Sequence, residues 1–229
     1  MKSSIPSHVE YFIRESYNWF AHSPQRLQSY QEIARLIGFS TDFDDGEDLE
    51  GANSSPDEIA EKNPPKLLSP SDTRWLAIAD CIEKILGQFD ALKTHFQLAY
   101  SNERCYQAKI LHEMFCDEKN YLFLLFLHPI LKELKRLTKL FQSNSADFLR
   151  VFLDLESAFL AFGRRILKPA VMSSNNTTNL AELNIDSDFC LLEPGSVDLG
   201  SSFLQMLERS SLTSSEKLDM KMRGKNFLK

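Results

Sequence analysis

The sequence predicts a mainly α protein: an antiparallel helical bundle, preceded by a helical pair and an acidic linker. Three observations predict it. Glycine and proline are scarce, at 8 and 9 in 229 residues, too few for the turns of a sandwich or barrel. Apolar residues recur at alternating steps of three and four along several long stretches, the spacing of one face of a helix. The breaks between those stretches are short and polar, which makes consecutive helices antiparallel neighbours. A chain of this length buries one good core with attachments.

The first helix runs from a cap at Ser7 to about Phe20, with Val9, Phe12, Ile13, Tyr17 and Phe20 at helical spacing. "HSPQR" stops and restarts it, because Ser23 suits an N-cap and Pro24 the first helical position. The second helix carries Leu27, Tyr30, Ile33, Ala34 and Ile37 and stops at Gly38. These two elements occupy residues 1–39. Residues 40–70 then turn to Asp, Glu, Ser, Gly and Pro, with too little apolar surface to offset the entropy of ordering, and read as a disordered acidic linker.

The bundle spans residues 71–169. Asp72 or Thr73 caps a helix whose seam is Trp75, Ile78, Ile82, Ile85, Phe89, Leu92 and Phe96. Another helix covers Glu103 to about Phe115, and Asp117 caps the next, which holds the apolar run Tyr121 to Leu131. Pro129 is expected to bend it. Beyond, Ile130, Leu134, Leu137 and Phe141 continue the stripe, while Lys132, Lys135, Arg136 and Lys139 face away. QSNSAD makes a turn. From Ala146 to about Leu167 the pattern returns as Phe148, Phe152, Leu155, Phe159, Phe162 and Ile166, read as a seam facing the core. Pro169 ends it. Residues 170–229 hold a polar loop and two weaker helices, about Asp198 to Arg209 and Thr213 to Lys229.

A net charge of −6 and a pI near 5.4 exclude a protein whose whole surface grips nucleic acid. Cys81, Cys105, Cys116 and Cys190 show no tight pairing pattern and the N-terminus has no apolar leader, so reduced thiols in a soluble intracellular protein are expected. The run Tyr121 to Leu131 is too short to span a bilayer. There is no Gly-rich phosphate loop, no G-x-S-x-G, no H-E-x-x-H and no C-x-x-C. His112 and Cys116, four apart with Cys105 nearby, offer two soft ligands on one face, but a closed zinc site needs four, so no metal is expected. The acidic group Asp42, Asp44, Asp45, Glu47, Asp48 and Glu50 lies in the linker, which cannot hold catalytic carboxylates in register. Three basic clusters are solvated faces or phosphate contacts: Lys132, Lys135, Arg136 and Lys139; Arg164, Arg165 and Lys168; and Lys217, Lys221, Arg223, Lys225 and Lys229.

Three stretches, taken in order, carry a family resemblance: SYNWFAHSPQRLQSYQEI from Ser16, SDTRWLAIADCIEKILGQFDALKTHF from Ser71, and LFLHPILKELKRLTKLFQSNSADFLRVFLDLESAF from Leu125. Together they resemble the hAT superfamily of transposases, in the branch of transposase-derived host proteins. The resemblance implies that residues 1 to about 40 trail out of a ribonuclease-H-like core and that Trp75 opens the family's helical insertion domain. It also implies a nuclear location. In the family the Arg-Trp pair lies at the transposon end, which makes Arg74 a phosphate or base contact and Trp75 a stacking platform. By periodicity alone, Trp75 is the first knob of a core seam. The family's three metal-binding carboxylates fall outside this chain, as do its zinc finger and dimerisation segment, so no transposase or nuclease activity and no cofactor are expected. The expected function is that of a non-catalytic interaction module with protein partners or self-association. The alternative is a residual DNA-binding module using Arg74, Trp75, Lys132, Lys135, Arg136 and Lys139.

Overall fold

The computed structural model describes residues 5–38, 64–69, 75–142, 148–174 and 189–228, with the side chains of Trp75 and Leu76 excepted. Ten helices lie among them: α1 (Ser7–Ala21), α2 (Pro24–Ile37), α3 (Trp75–Gly87), α4 (Phe89–Glu103), α5 (Tyr106–Cys116), α6 (Glu118–Gln142), α7 (Phe148–Ile166), α8 (Pro169–Ser174), α9 (Ser201–Arg209) and α10 (Ser214–Leu228). No strand forms among the described residues, which hold one isolated antiparallel bridge, Leu167 to Leu191. The mainly α class is therefore observed. The chain divides into two compact units, Met1–Leu124 and Leu125–Lys229, the boundary falling within α6 and within the span 71–169.

In the first unit α4 packs against α2, α3 and α5, while α1 meets α2, α3 and α5. The α1–α2 junction follows its local chemistry. Ser23 is the N-cap of α2, its hydroxyl accepting the Arg26 N–H at 3.4 Å, and Pro24 takes the first helical position, where a missing N–H costs nothing. Gly38 closes α2 at φ +85°, a conformation a Cβ would strain. The start of α1 differs from expectation: Pro6 occupies the cap position without a side-chain bond, and Ser7 is the first helical residue. Val9 N–H bonds directly to the Pro6 carbonyl at 2.9 Å.

The expected continuous helix from Trp75 through Phe96 is broken at Gln88. Gln88 is 1% exposed, and both ends of its amide are used. Its Oε1 accepts the Tyr30 hydroxyl and its Nε2 donates to the Lys84 carbonyl at 2.9 Å. The break is thus held by a long-range polar contact together with a local one. Asp117 does cap α6, its carboxylate accepting the Lys119 N–H at 3.0 Å. Arg104 ends α4 in the left-handed region at φ 49°. Pro64 to Ser69, the described end of the expected linker, is non-helical, and there Leu67 is 8% exposed; the acidic cluster 42–50 lies outside the described residues.

The core of this unit is aromatic. Phe12 meets Phe115 edge-on at 4.6 Å between centroids, Phe96 stacks on Phe115 at 5.3 Å, and Phe89 joins Phe115 at 4.9 Å. Phe12 and Phe96 are wholly buried, each burial stabilising by about 1.5–3 kcal/mol, with about 0.5–1.5 kcal/mol more per ring pair.

In the second unit, α6 continues through Pro129 to Gln142. α7 neighbours α8 and α10. Phe126 packs edge-on against Phe203 of α9 and Phe227 of α10, at 5.9 and 5.6 Å. Thr213 and Glu216 form a reciprocal capping box at the start of α10. Thr213 Oγ1 accepts the Glu216 N–H at 3.3 Å, and the Glu216 carboxylate accepts the Thr213 N–H at 3.0 Å. At Gly224 a Cβ would stand 2.7 Å from Leu199 Cδ2, so α10 approaches Leu199 more closely than a side chain allows unless that leucine shifts.

Candidate interaction surface

Helix α7, FLRVFLDLESAFLAFGRRI, carries four Leu, three Arg and two Ala, good helix formers, and ends in Arg164 and Arg165, cations suited to a helix C-terminus. What it buries differs from expectation. Val151, Ala158 and Ile166 are the buried residues. The residues read as its core seam face outward: Phe148 is 85% exposed, Phe152 56%, Leu155 42% and Phe159 53%, with Leu149 and Leu153 beside them at 63% and 54%. Only Ile166 of the expected seam is sealed, while Phe162 is half-buried. The buried residues Val151 and Ala158 share one arc of the helix and the exposed phenylalanines lie on another, so burial follows the neighbours that α7 has, α8 and α10, and not its aromatic stripe.

At about 200 Å² for a full aromatic side chain, the three phenylalanines alone expose about 400 Å², and the three leucines enlarge the same patch. An ordinary monomer's largest apolar patch is about 300–600 Å².

The residues expected to touch nucleic acid are described only in part. Arg74 and the side chain of Trp75 lie outside what is described, and the backbone of Trp75 opens α3. Lys132, Arg136 and Lys139 lie on the exposed side of α6 and Lys135 is half-buried. Arg136 is committed to Glu133, donating from Nε and Nη2 at 3.1 and 2.8 Å, and Lys132, Lys135 and Lys139 each have a partner. In the second basic cluster, Arg165 lies 3.6 Å from Asp198. In the tail, Arg223 pairs with Asp219 at 2.9 Å and Lys217 donates to the Glu208 carbonyl at 3.0 Å.

His112 and Cys116 do meet, with Sγ 3.5 Å from Nε2. Among the described residues no group of three or more His, Cys, Asp or Glu side chains converges. Cys81 is buried, donates to the Leu68 carbonyl at 3.2 Å, and has its thiol pushed up to about 12 by burial and then by Asp80. No helix among the described residues is long and apolar enough to cross a membrane.

Sequence reasoning missed a polar constellation in the first unit. Trp19 Nε1 donates to His95 Nε2 at 3.0 Å, and the Arg26 guanidinium lies 3.6 Å over the Trp19 ring. Arg26 also bonds Glu103 at 3.0 Å. His95 is 2% exposed, and burial, then Arg26, lowers its pKa to about 4. The one available signal was its place on the apolar face of α4 beside Phe96, since Trp19 lies 76 residues away. No family model, curated protein or solved structure matches this chain.

Proposed function

We propose that this chain is a non-enzymatic interaction module of hAT-transposase descent that works by self-association through α7. Its descent is supported by the three sequence stretches quoted above. Its mode of action is supported by one observation, the outward apolar face of α7. A stable interface takes about 800 Å² from each partner, and the six exposed phenylalanines and leucines supply most of that area.

A second copy is the occupant that fits best. The stripe Phe148, Phe152, Leu155 and Phe159 advances in steps of four, three and four, the ridge spacing by which helices interlock with their own kind. Such an interface is isologous and closes as a dimer.

Sedimentation equilibrium of the purified chain tests this. A dimer at micromolar concentration is expected, with Phe152→Ser/Phe159→Ser monomeric and its far-ultraviolet circular dichroism unchanged. A wild-type chain that stays monomeric at about 100 μM, where even a weak dimer of micromolar Kd forms, would sink the proposal. A double variant still dimeric would move the interface elsewhere.

A further inference from the structure

The end of α5, in the first unit, carries an exposed thiol beside an imidazole. Free cysteines are among the most buried residues of folded proteins, and of the four here Cys116 is the exposed one. His112 stands one turn before it on the same face of the helix. The thiol sulfur is 3.5 Å from Nε2 and 3.8 Å from Nδ1, so it lies beside the ring within reach of either nitrogen. A tetrahedral zinc ion, with Zn–S about 2.3 Å and Zn–N about 2.0–2.1 Å, holds a sulfur and a nitrogen ligand about 3.5 Å apart. The two side chains already have that separation, and a turn of the half-buried imidazole about its Cβ–Cγ bond aims a nitrogen lone pair at the shared position.

The charge around the pair separates two uses of it. Cys116 is the last residue of α5, where backbone carbonyls gather negative partial charge, and Asp117 and Glu118 follow it. Lys109, one turn before His112, is paired with Glu113 at 3.8 Å. Reactive thiols sit in electropositive surroundings, because the thiolate is the nucleophile. These surroundings oppose a bare thiolate and attract a cation, which favours metal ligation over covalent modification.

One chain supplies half of a ligand set. Zinc closes its coordination with four ligands, and among the described residues no third His, Cys, Asp or Glu joins the pair. A second copy brings an identical pair, and the two together make a tetrahedral set of two sulfurs and two nitrogens. We propose that His112 and Cys116 form half of a zinc site that closes between two copies of this chain, each giving one thiolate and one imidazole. Each thiol releases its proton to solvent on binding, so affinity rises with pH.

Cobalt(II) titration of the reduced full chain tests this, because cobalt adopts the zinc geometry and reports it in its spectrum. Saturation at one ion per two chains is expected, with a thiolate-to-cobalt charge-transfer band, the visible bands of a tetrahedral ion, and loss of both when zinc is added. Cys116→Ser should remove the charge-transfer band and His112→Gln the tetrahedral bands, each with far-ultraviolet circular dichroism unchanged, while Cys105→Ser should keep both. Sedimentation of Phe152→Ser/Phe159→Ser separates this contact from α7: that chain is expected to dimerise only when zinc is added. If it is dimeric without zinc, the α7 reading fails and the cobalt stoichiometry still decides this one. No charge-transfer band, or one that survives Cys116→Ser, overturns the proposal. Saturation at one ion per chain, or a double variant that stays monomeric with zinc, overturns the bridge between copies.

Discussion

In α4, Phe89, Leu92 and Phe96 follow at steps of three and four, and in α7 Phe152, Leu155 and Phe159 repeat the same steps. Leu92 and Phe96 are completely sealed, whereas Phe152 and Phe159 are more than half exposed. The two helices have nearly the same apolar rhythm and differ in their surroundings. α4 is met by α2, α3 and α5 and receives ring contacts from Trp19 and Phe20 of α1, while α7 neighbours α8 and α10. Periodicity therefore states which residues share a face, and the rest of the chain decides whether that face is covered.

Truncation at matched positions gives the largest contrast. Phe96→Ala should cost about 3–5 kcal/mol, because it empties a site walled by Trp19, Phe20 and Phe115. Urea unfolding of this variant should show the midpoint falling with m unchanged; a small loss would mean that α4 is not the closed helix described. A second contrast comes from pH. The folded pKa of His95 lies below its ordinary 6.5, near 4, so the unfolded chain binds the proton first. The resulting stabilisation is fully present above pH 6.5 and is lost as pH falls toward 4, to a total of about 3 kcal/mol. Urea midpoints at pH 7 and 4.5, compared with those of His95→Gln, measure it, and identical slopes for the two proteins would contradict the burial of this imidazole.

Gly224→Ala asks whether the second unit is tightly packed at α10. The added methyl meets Leu199 Cδ2, Cδ1 and Cγ at 2.7, 3.3 and 3.5 Å, so that buried side chain must shift to admit it. A net loss of about 1–2 kcal/mol is expected after the helix gains from replacing glycine, read as a lower thermal midpoint. A neutral or stabilising result would show Leu199 to be free to move. Least is expected of Phe159→Ala in the dissociated chain, within about 0.5 kcal/mol of wild type. A loss as large as that at Phe96 would erase the distinction between the helices.

Much of the helix inventory was legible because local chemistry sets it. Ser23, Pro24 and Gly38 bound α2 where their conformational preferences place them, and Asp117 caps α6. The break at Gln88 was not legible, since its partner Tyr30 is 58 residues away and the only local hint is Gly87. Trp19 and His95 were separated by a still longer stretch of chain, so their bond left no trace in spacing. The outward face of α7 was misread for a different reason: a core seam and a docking stripe have the same pattern in one chain. Arg74 and the indole of Trp75 lie outside the described residues.

The bond from Trp19 to His95 also gives the first unit its own optical signal. An indole held against a neutral imidazole emits differently from one beside an imidazolium, which accepts an electron from the excited ring and quenches it. Trp19 is one of only two tryptophans in the chain, so with the other replaced by phenylalanine its emission would follow the protonation and opening of this core in real time, without any added dye.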